Sequence, residues 1–173
     1  MPEIQVRNIR AEDLDEVVRL EEEIWPEGTR ASREKFESRL RIFPDGFFAA
    51  FRDGEMVGVS TSEIIHYTPE TSIFSWEDIT DNGLIKMTHK PKGNALYVVS
   101  IGAKSRSGGG SVLVTAQKEL VKKLNLKFLV LGARIPGYNN YCEKIGLIDI
   151  KEYVRLIRKE GDLLDSELRF YTR

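Results

Sequence analysis

Between Ala95 and Ala133 the chain passes from one apolar run, ALYVVSIGA, through KSRSGGGSVL into an amphipathic stretch, and out into a second apolar run, KFLVLGA. Nearly continuous apolar runs of this length, rich in β-branched residues, read as strands of a sheet interior. In the stretch between them Leu113, Ala116, Leu120 and Leu124 recur at helical spacing, while Lys118, Glu119, Lys122 and Lys123 face the other way. Strand, helix and strand in succession read as a parallel crossover unit, so this segment points to an α/β sheet with at least one crossover. The glycines therefore sit between a core strand and a helix start, which is no place for a flexible spacer.

The rest of the chain is antiparallel in character. IQVRNIR alternates apolar and polar side chains, and the next stretch places Leu14, Val17, Val18, Leu20 and Ile24 on a helical stripe that ends at Pro26. A second amphipathic segment, SREKFESRLRIFP, carries Phe36 and Leu40. It precedes GFFAAFRDGEMVGVSTSEII, where Asp53-Gly54 joins two apolar runs as a hairpin. From about 67 to 93 the chain is mixed, with turn signals at Asn82-Gly83 and Pro91-Lys92-Gly93, yet Phe74, Trp76 and Ile85 argue for an ordered excursion.

At 173 residues, 41% apolar and 31% charged, the chain suits one domain with a real core. A net charge of −1 and a pI near 6.2 supply no global field for nucleic acid or anionic membrane. No apolar run approaches the roughly 20 residues of a spanning helix, and MPEIQVRNIR lacks the apolar centre of a secretory signal. With a lone cysteine, Cys142, and no zinc spacing, these features lead us to expect a cytoplasmic protein without a metal site, a nucleic-acid partner or a membrane partner.

A helix start exposes backbone N–H groups and the positive end of the helix dipole, which suits a phosphate. Glycine removes side chains from the approach and allows the positive φ values that turn successive N–H groups toward one anion. Ser111 offers a hydroxyl and Arg106 a charge. Neither G-x-x-x-x-G-K-[ST] nor G-x-G-x-x-G is matched, and the triplet alone serves equally as a tight connection without a ligand.

In the order of its elements, and in LYVVSIGA, GGGSVL and FLVLGARIPGYNNYCEK, the chain resembles the GNAT superfamily of acetyl-CoA-dependent N-acetyltransferases over nearly its whole length. The narrower likeness is to acetyltransferase domains that occur alone or beside carbon-nitrogen hydrolase domains. The resemblance implies a mixed, mostly antiparallel central sheet flanked by helices, the acyl-CoA N-acyltransferase fold, as one domain over 1–173 with an insertion at about 134–165. Gly108 and Gly110 fall on the two glycines of the family's R/Q-x-x-G-x-G/A turn. Its Arg/Gln position falls on Ser105, with Arg106 one place later, and the link from SIGA to the glycines is about three residues shorter than usual. The final SELRFYTR resembles the family's last helix, so the two closing strands are expected to be missing, leaving an open sheet edge and a homodimer as an open alternative.

By the same resemblance, Gly108, Gly109, Gly110, Ser111 and Arg106 would hold the coenzyme A pyrophosphate. The backbone around Ser100, Ile101 and Ala103 would pair with the pantetheine arm and aim an N–H at the thioester oxygen. Tyr171 would be the general acid, and its reference pKa of about 10 would keep it protonated at neutral pH. Glu63, in the apolar setting of a strand where burial raises a carboxylate's pKa, is the candidate base, with Glu77 and Asp78 as alternatives. His66 and His89 read as structural, and Tyr138, Asn139 and Tyr141 as acceptor contacts or loop packing. The acceptor implied is a small-molecule amine, a peptide N-terminus or a lysine. A non-catalytic coenzyme A-binding or protein-interaction module is the alternative.

Overall fold

The structure, a computed structural model, describes residues 3–71 and 75–172. Phe74 lies outside the described residues. The chain divides into two compact units, Met1–Leu131 and Gly132–Arg173.

In the first unit, β1 (Gln5–Asn8), β2 (Phe48–Arg52), β3 (Glu55–Ile65), β4 (Ala95–Ala103) and β5 (Phe128–Leu131) form one sheet in sequence order. Neighbours are antiparallel except β4 and β5, which run parallel across helix α4 (Gly109–Lys123), as two apolar runs joined by a helix require. Asp53 and Gly54 both have positive φ, the conformation of a two-residue hairpin that follows the twist of its strands.

Helices α1 (Leu14–Ile24) and α2 (Arg33–Ile42) cover one face of the sheet, placing Val17 and Phe36 against Ala49, Met56 and Val59. On the opposite face, α4 sets Leu113 against Ala50 and Val57. Alternate residues of β2 and β3 thus serve two separate core layers, as the pleat demands. β3 is buried along ten consecutive residues, Met56–Ile65. β5, expected to be buried, is half-buried throughout, because it is the last strand in the described order and lacks a neighbour on one side.

The excursion holds a short helix, α3 (Trp76–Thr80), capped by Ser75, followed by a turn in which Asp81, Asn82, Gly83 and Ile85 all have positive φ. Its apolar side chains anchor it. Ile85 is fully buried, and the Trp76 indole N–H donates to the Val99 carbonyl at 2.8 Å.

The second unit contains α5 (Tyr138–Ile145), α6 (Ile150–Tyr153) and α7 (Ser166–Tyr171). Buried Asp165 organises it. One carboxylate oxygen caps α7 through the Glu167 and Leu168 N–H groups, and the other accepts from the Tyr153 hydroxyl and the Gly137 N–H, both at 3.1 Å. The Tyr138 and Tyr141 rings pack edge-on against Tyr153, with centroids 5.2 and 5.5 Å away.

Candidate active site

β4 pairs with β5 only from Ala95 to Val98. On its other side, Thr61 of β3 faces Ser100 while Ser62 faces Val98, so Val99 is an extra residue, a β-bulge. Beyond it, Ser100, Ile101, Gly102 and Ala103 have no β5 partner and are half-buried, whereas Ala95–Val99 are buried. The strand therefore opens a backbone edge at the bulge. Three of the residues singled out from the sequence, Ser100, Ile101 and Ala103, lie on it.

Past Ala103 the chain turns into α4, which begins at Gly109. Arg106 and Gly108 both have positive φ, of 58° and 77°. A Cβ at Gly108 would be strained by that φ and would lie 3.0 Å from Ile4 Cδ1 and 3.5 Å from Arg52 Nη2. Gly109 is buried, a Cβ there would lie 3.1 Å from the Val57 carbonyl oxygen, and its N–H donates to Ser107 Oγ at 3.1 Å. Gly109 is thus a packing residue of the turn whose N–H is already engaged. Among the described residues the N–H groups of Gly108, Gly110 and Ser111 have no such partner. The Lys104 N–H donates to the Val57 carbonyl at 2.9 Å, so a second bulge, at Val57 of β3, tethers the turn to the sheet.

Two arginines flank the turn. Arg106 is exposed. Arg52, at the end of β2, is one that the sequence reading missed: its guanidinium stands beside Gly108 and its Nε is buried without a partner among the described residues. Linear sequence gives no signal for it, because 56 positions separate it from Gly108.

Beneath the bulge lies a buried polar cluster. Arg39 of α2 is 1% exposed, and its Nε donates to the Gly83 carbonyl at 2.7 Å. Its Nη1 donates to Thr61 Oγ1 and Ser100 Oγ, both at 3.2 Å, and those two hydroxyls lie 2.9 Å apart. Burial pulls the guanidinium pKa down to about 10, opposed by the charges of Glu21 and Glu63, so it stays cationic at neutral pH. Glu63 is fully buried. One of its oxygens accepts from the Thr88 hydroxyl at 2.7 Å and the other has no partner among the described residues. Burial pushes the Glu63 carboxyl up to about 7, against the pull of Thr88 and Arg39. The run Ser60-Thr61-Ser62-Glu63 inside a fully buried strand was the signal for this cluster, since four polar residues in a core strand need partners.

The alternatives separate clearly. Glu77 is exposed, and the Asp78 carboxylate accepts from Ser75 Oγ at the start of α3. His66 is exposed, and His89 accepts the Ile64 N–H on Nδ1, with its pKa lowered by burial. Tyr138 and Tyr141 pack on Tyr153, and Asn139 is exposed. Tyr171 is half-buried in α7, and burial pushes its hydroxyl up to about 12. No group of acidic, histidine or cysteine side chains fit for a metal occurs among the described residues, nor any helix long and apolar enough to cross a membrane.

No family model matches the chain. It is 32% identical over 173 residues to the uncharacterized N-acetyltransferase YkwB of Bacillus subtilis (strain 168), covering 96% of this chain and 76% of YkwB. The chain belongs to the GNAT family of acetyltransferases. It is also 33% identical over 168 residues to the probable hydrolase YhcX of the same organism, covering 95% of this chain but only 32% of YhcX, as expected of a domain that also occurs beside hydrolase domains. Among solved structures, the loading GNATL domain of CurA from Lyngbya majuscula superposes with a TM-score of 0.83 at 19% identity, covering 98% of this chain and 82% of that one. The GphF GNAT-like decarboxylase in complex with isobutyryl-CoA gives 0.73 at 24% identity, covering 97% and 83%. These likenesses establish the GNAT fold for the mixed sheet and its flanking helices.

Proposed function

We propose that the protein is an acetyl-CoA-dependent N-acetyltransferase that moves an acetyl group directly to a primary amine, in a small molecule or at a peptide N-terminus or lysine. The observation that carries this reading is the opening of β4 at the Val99 bulge, which leads within a few residues to a helix start whose first N–H groups are in part unpartnered among the described residues. An extended pantetheine arm needs a free strand edge and a pyrophosphate needs a helix start; one continuous segment offers both.

In the proposed reaction the amine nitrogen bonds to the thioester carbon, the carbon–sulfur bond breaks with its electron pair leaving on sulfur, and the amine's surplus proton is lost. The N–H groups of Gly108, Gly110 and Ser111, with Arg52 and Arg106, would hold the pyrophosphate. The freed backbone at Ser100, Ile101 and Ala103 would align the pantetheine and present an N–H to the thioester oxygen. Glu63 would accept the amine's proton through a bridging water, since the carboxylate is enclosed, and a pKa of about 7 suits a base that works at neutral pH. Tyr171, protonated throughout the neutral range, would donate its O–H to the departing sulfur.

The test is to incubate the protein with acetyl-CoA and a panel of primary amines, amino acids and peptides, following thiol release and the mass of the product. Thermal unfolding runs in parallel, since acetyl-CoA at 100 times its dissociation constant should stabilise the fold by about 2.7 kcal/mol. Stabilisation without thiol release would favour the second reading, a non-catalytic coenzyme A-binding module, for which the enclosure of Glu63 speaks. No stabilisation and no release would refute both.

A further inference from the structure

The three-way contact among Arg39, Thr61 and Ser100 fixes more than packing, because it determines where a hydroxyl proton must go. Arg39 Nη1 can only donate, so both hydroxyl oxygens accept from it. The 2.9 Å contact between Thr61 Oγ1 and Ser100 Oγ uses one hydroxyl proton, supplied by one of the two residues. Thr61 is 1% exposed, and among the described residues the only acceptor within hydrogen-bonding distance of its hydroxyl is Ser100 Oγ. If Ser100 were the donor, the Thr61 proton would be buried without a partner among the described residues, an arrangement that folded proteins avoid because the lost water is not replaced. Thr61 therefore donates to Ser100.

Ser100 Oγ then accepts two hydrogen bonds, one from a cation, while its own proton has no acceptor among the described residues. A hydroxyl whose lone pairs are engaged in this way is a polarised donor. Ser100 is half-buried and lies one residue past the Val99 bulge, where β4 has left β5. Its spare proton is thus available to a ligand on the opened strand.

We propose that the Ser100 hydroxyl is a side-chain donor to the thioester carbonyl oxygen and to the oxyanion that develops on it, oriented by Thr61 and polarised by Arg39. Ser100 would be a catalytic residue by its side chain, distinct from any backbone role, and Thr61 and Arg39 positioning residues acting through it. As the amine nitrogen bonds to the carbonyl carbon, the carbonyl π pair moves onto oxygen and the Ser100 O–H bond shortens its contact there without transferring the proton. When the pair returns, the carbon–sulfur bond breaks. This inference rests on the proposed use of an acyl-CoA thioester.

The experiment has a spectroscopic arm and a kinetic arm. Acetyl-CoA labelled with ¹³C at the carbonyl is bound to wild type, Ser100→Ala, Ser100→Thr and Thr61→Val, and the carbonyl stretch is read by infrared difference. The expected result is a lower frequency in wild type than in Ser100→Ala, restoration in Ser100→Thr, and an intermediate value in Thr61→Val. With an amine substrate, Ser100→Ala should reduce kcat by about 10², the scale of one oxyanion donor, a larger factor than its loss of acetyl-CoA affinity. Identical carbonyl frequencies in wild type and Ser100→Ala would overturn the proposal even if the protein proved to be an acetyltransferase. A shifted carbonyl in a protein that acetylates no amine would uphold the Ser100 contact while refuting amine transfer. Failure of the wild type to bind acetyl-CoA would overturn both.

Discussion

Replacing Glu63 by glutamine should flatten the pH dependence of stability in a way set by burial. Burial pushes the carboxyl up to about 7 in the folded protein, from the ordinary value of 4.5 that it has when exposed to water. A raised pKa means that the folded state holds the proton more tightly than the unfolded state, so the contribution is complete below the unfolded value and is lost as pH rises through the folded one. Between about pH 5 and pH 8 the two values predict a loss on the order of 2–3 kcal/mol from this group alone. For a domain of this size that corresponds to a fall in Tm of about 5–10 °C. Other groups titrate too: Asp13, held below its usual range by its hydrogen bonds with Arg7, is lost as an anchor at the acid end. The quantity to measure is therefore the difference between wild type and Glu63→Gln in urea unfolding at each pH. It should change by roughly 2–3 kcal/mol across the interval, with the glutamine variant relatively more stable at the alkaline end. Parallel profiles would show that Glu63 is not held in a raised-pKa environment, and the case for it as a neutral-pH base would fall with that. If it is the base, kcat/KM should also rise with pH through about 7 in wild type, an inflection that Glu63→Gln removes.

Gly108→Val should weaken acetyl-CoA binding by tenfold or more, on the order of the 1–2 kcal/mol that a left-handed φ imposes on a residue with a side chain, together with the displaced Arg52; unchanged affinity in calorimetry would remove the turn as the pyrophosphate site. Arg106→Ala should reduce affinity modestly, with a loss that shrinks as salt is added, because the side chain is exposed; a salt-independent loss would point to packing. Tyr171→Phe should leave acetyl-CoA affinity nearly intact and lower kcat by about 10² to 10⁴; full activity would end its proposed role, and a lower Tm alone would mark it as a packing residue.

The sequence alone determined the main strands and helices of the first unit and their order. Apolar runs of the right length located β4 and β5, helical stripes located α1, α2 and α4, and Asp53-Gly54 marked the hairpin, because these features depend on residues within one turn or one pleat of each other. It also placed the glycines between strand and helix, since strand, turn and helix start are contiguous. Tertiary structure alone decided which polar groups meet. Arg39, Thr61, Ser100 and Gly83 come from four separate stretches of chain, and their contacts exist only because α2 crosses β3 and β4 at the bulge while the excursion folds back over Arg39. Likewise the engagement of the Gly109 N–H by Ser107, the approach of Arg52 to Gly108 and the full enclosure of Glu63 follow from how the layers pack. Local pattern records each residue's preference for burial or solvent. The pairing of buried polar groups is settled between distant segments, at the moment when each must find a partner or bear the loss of water.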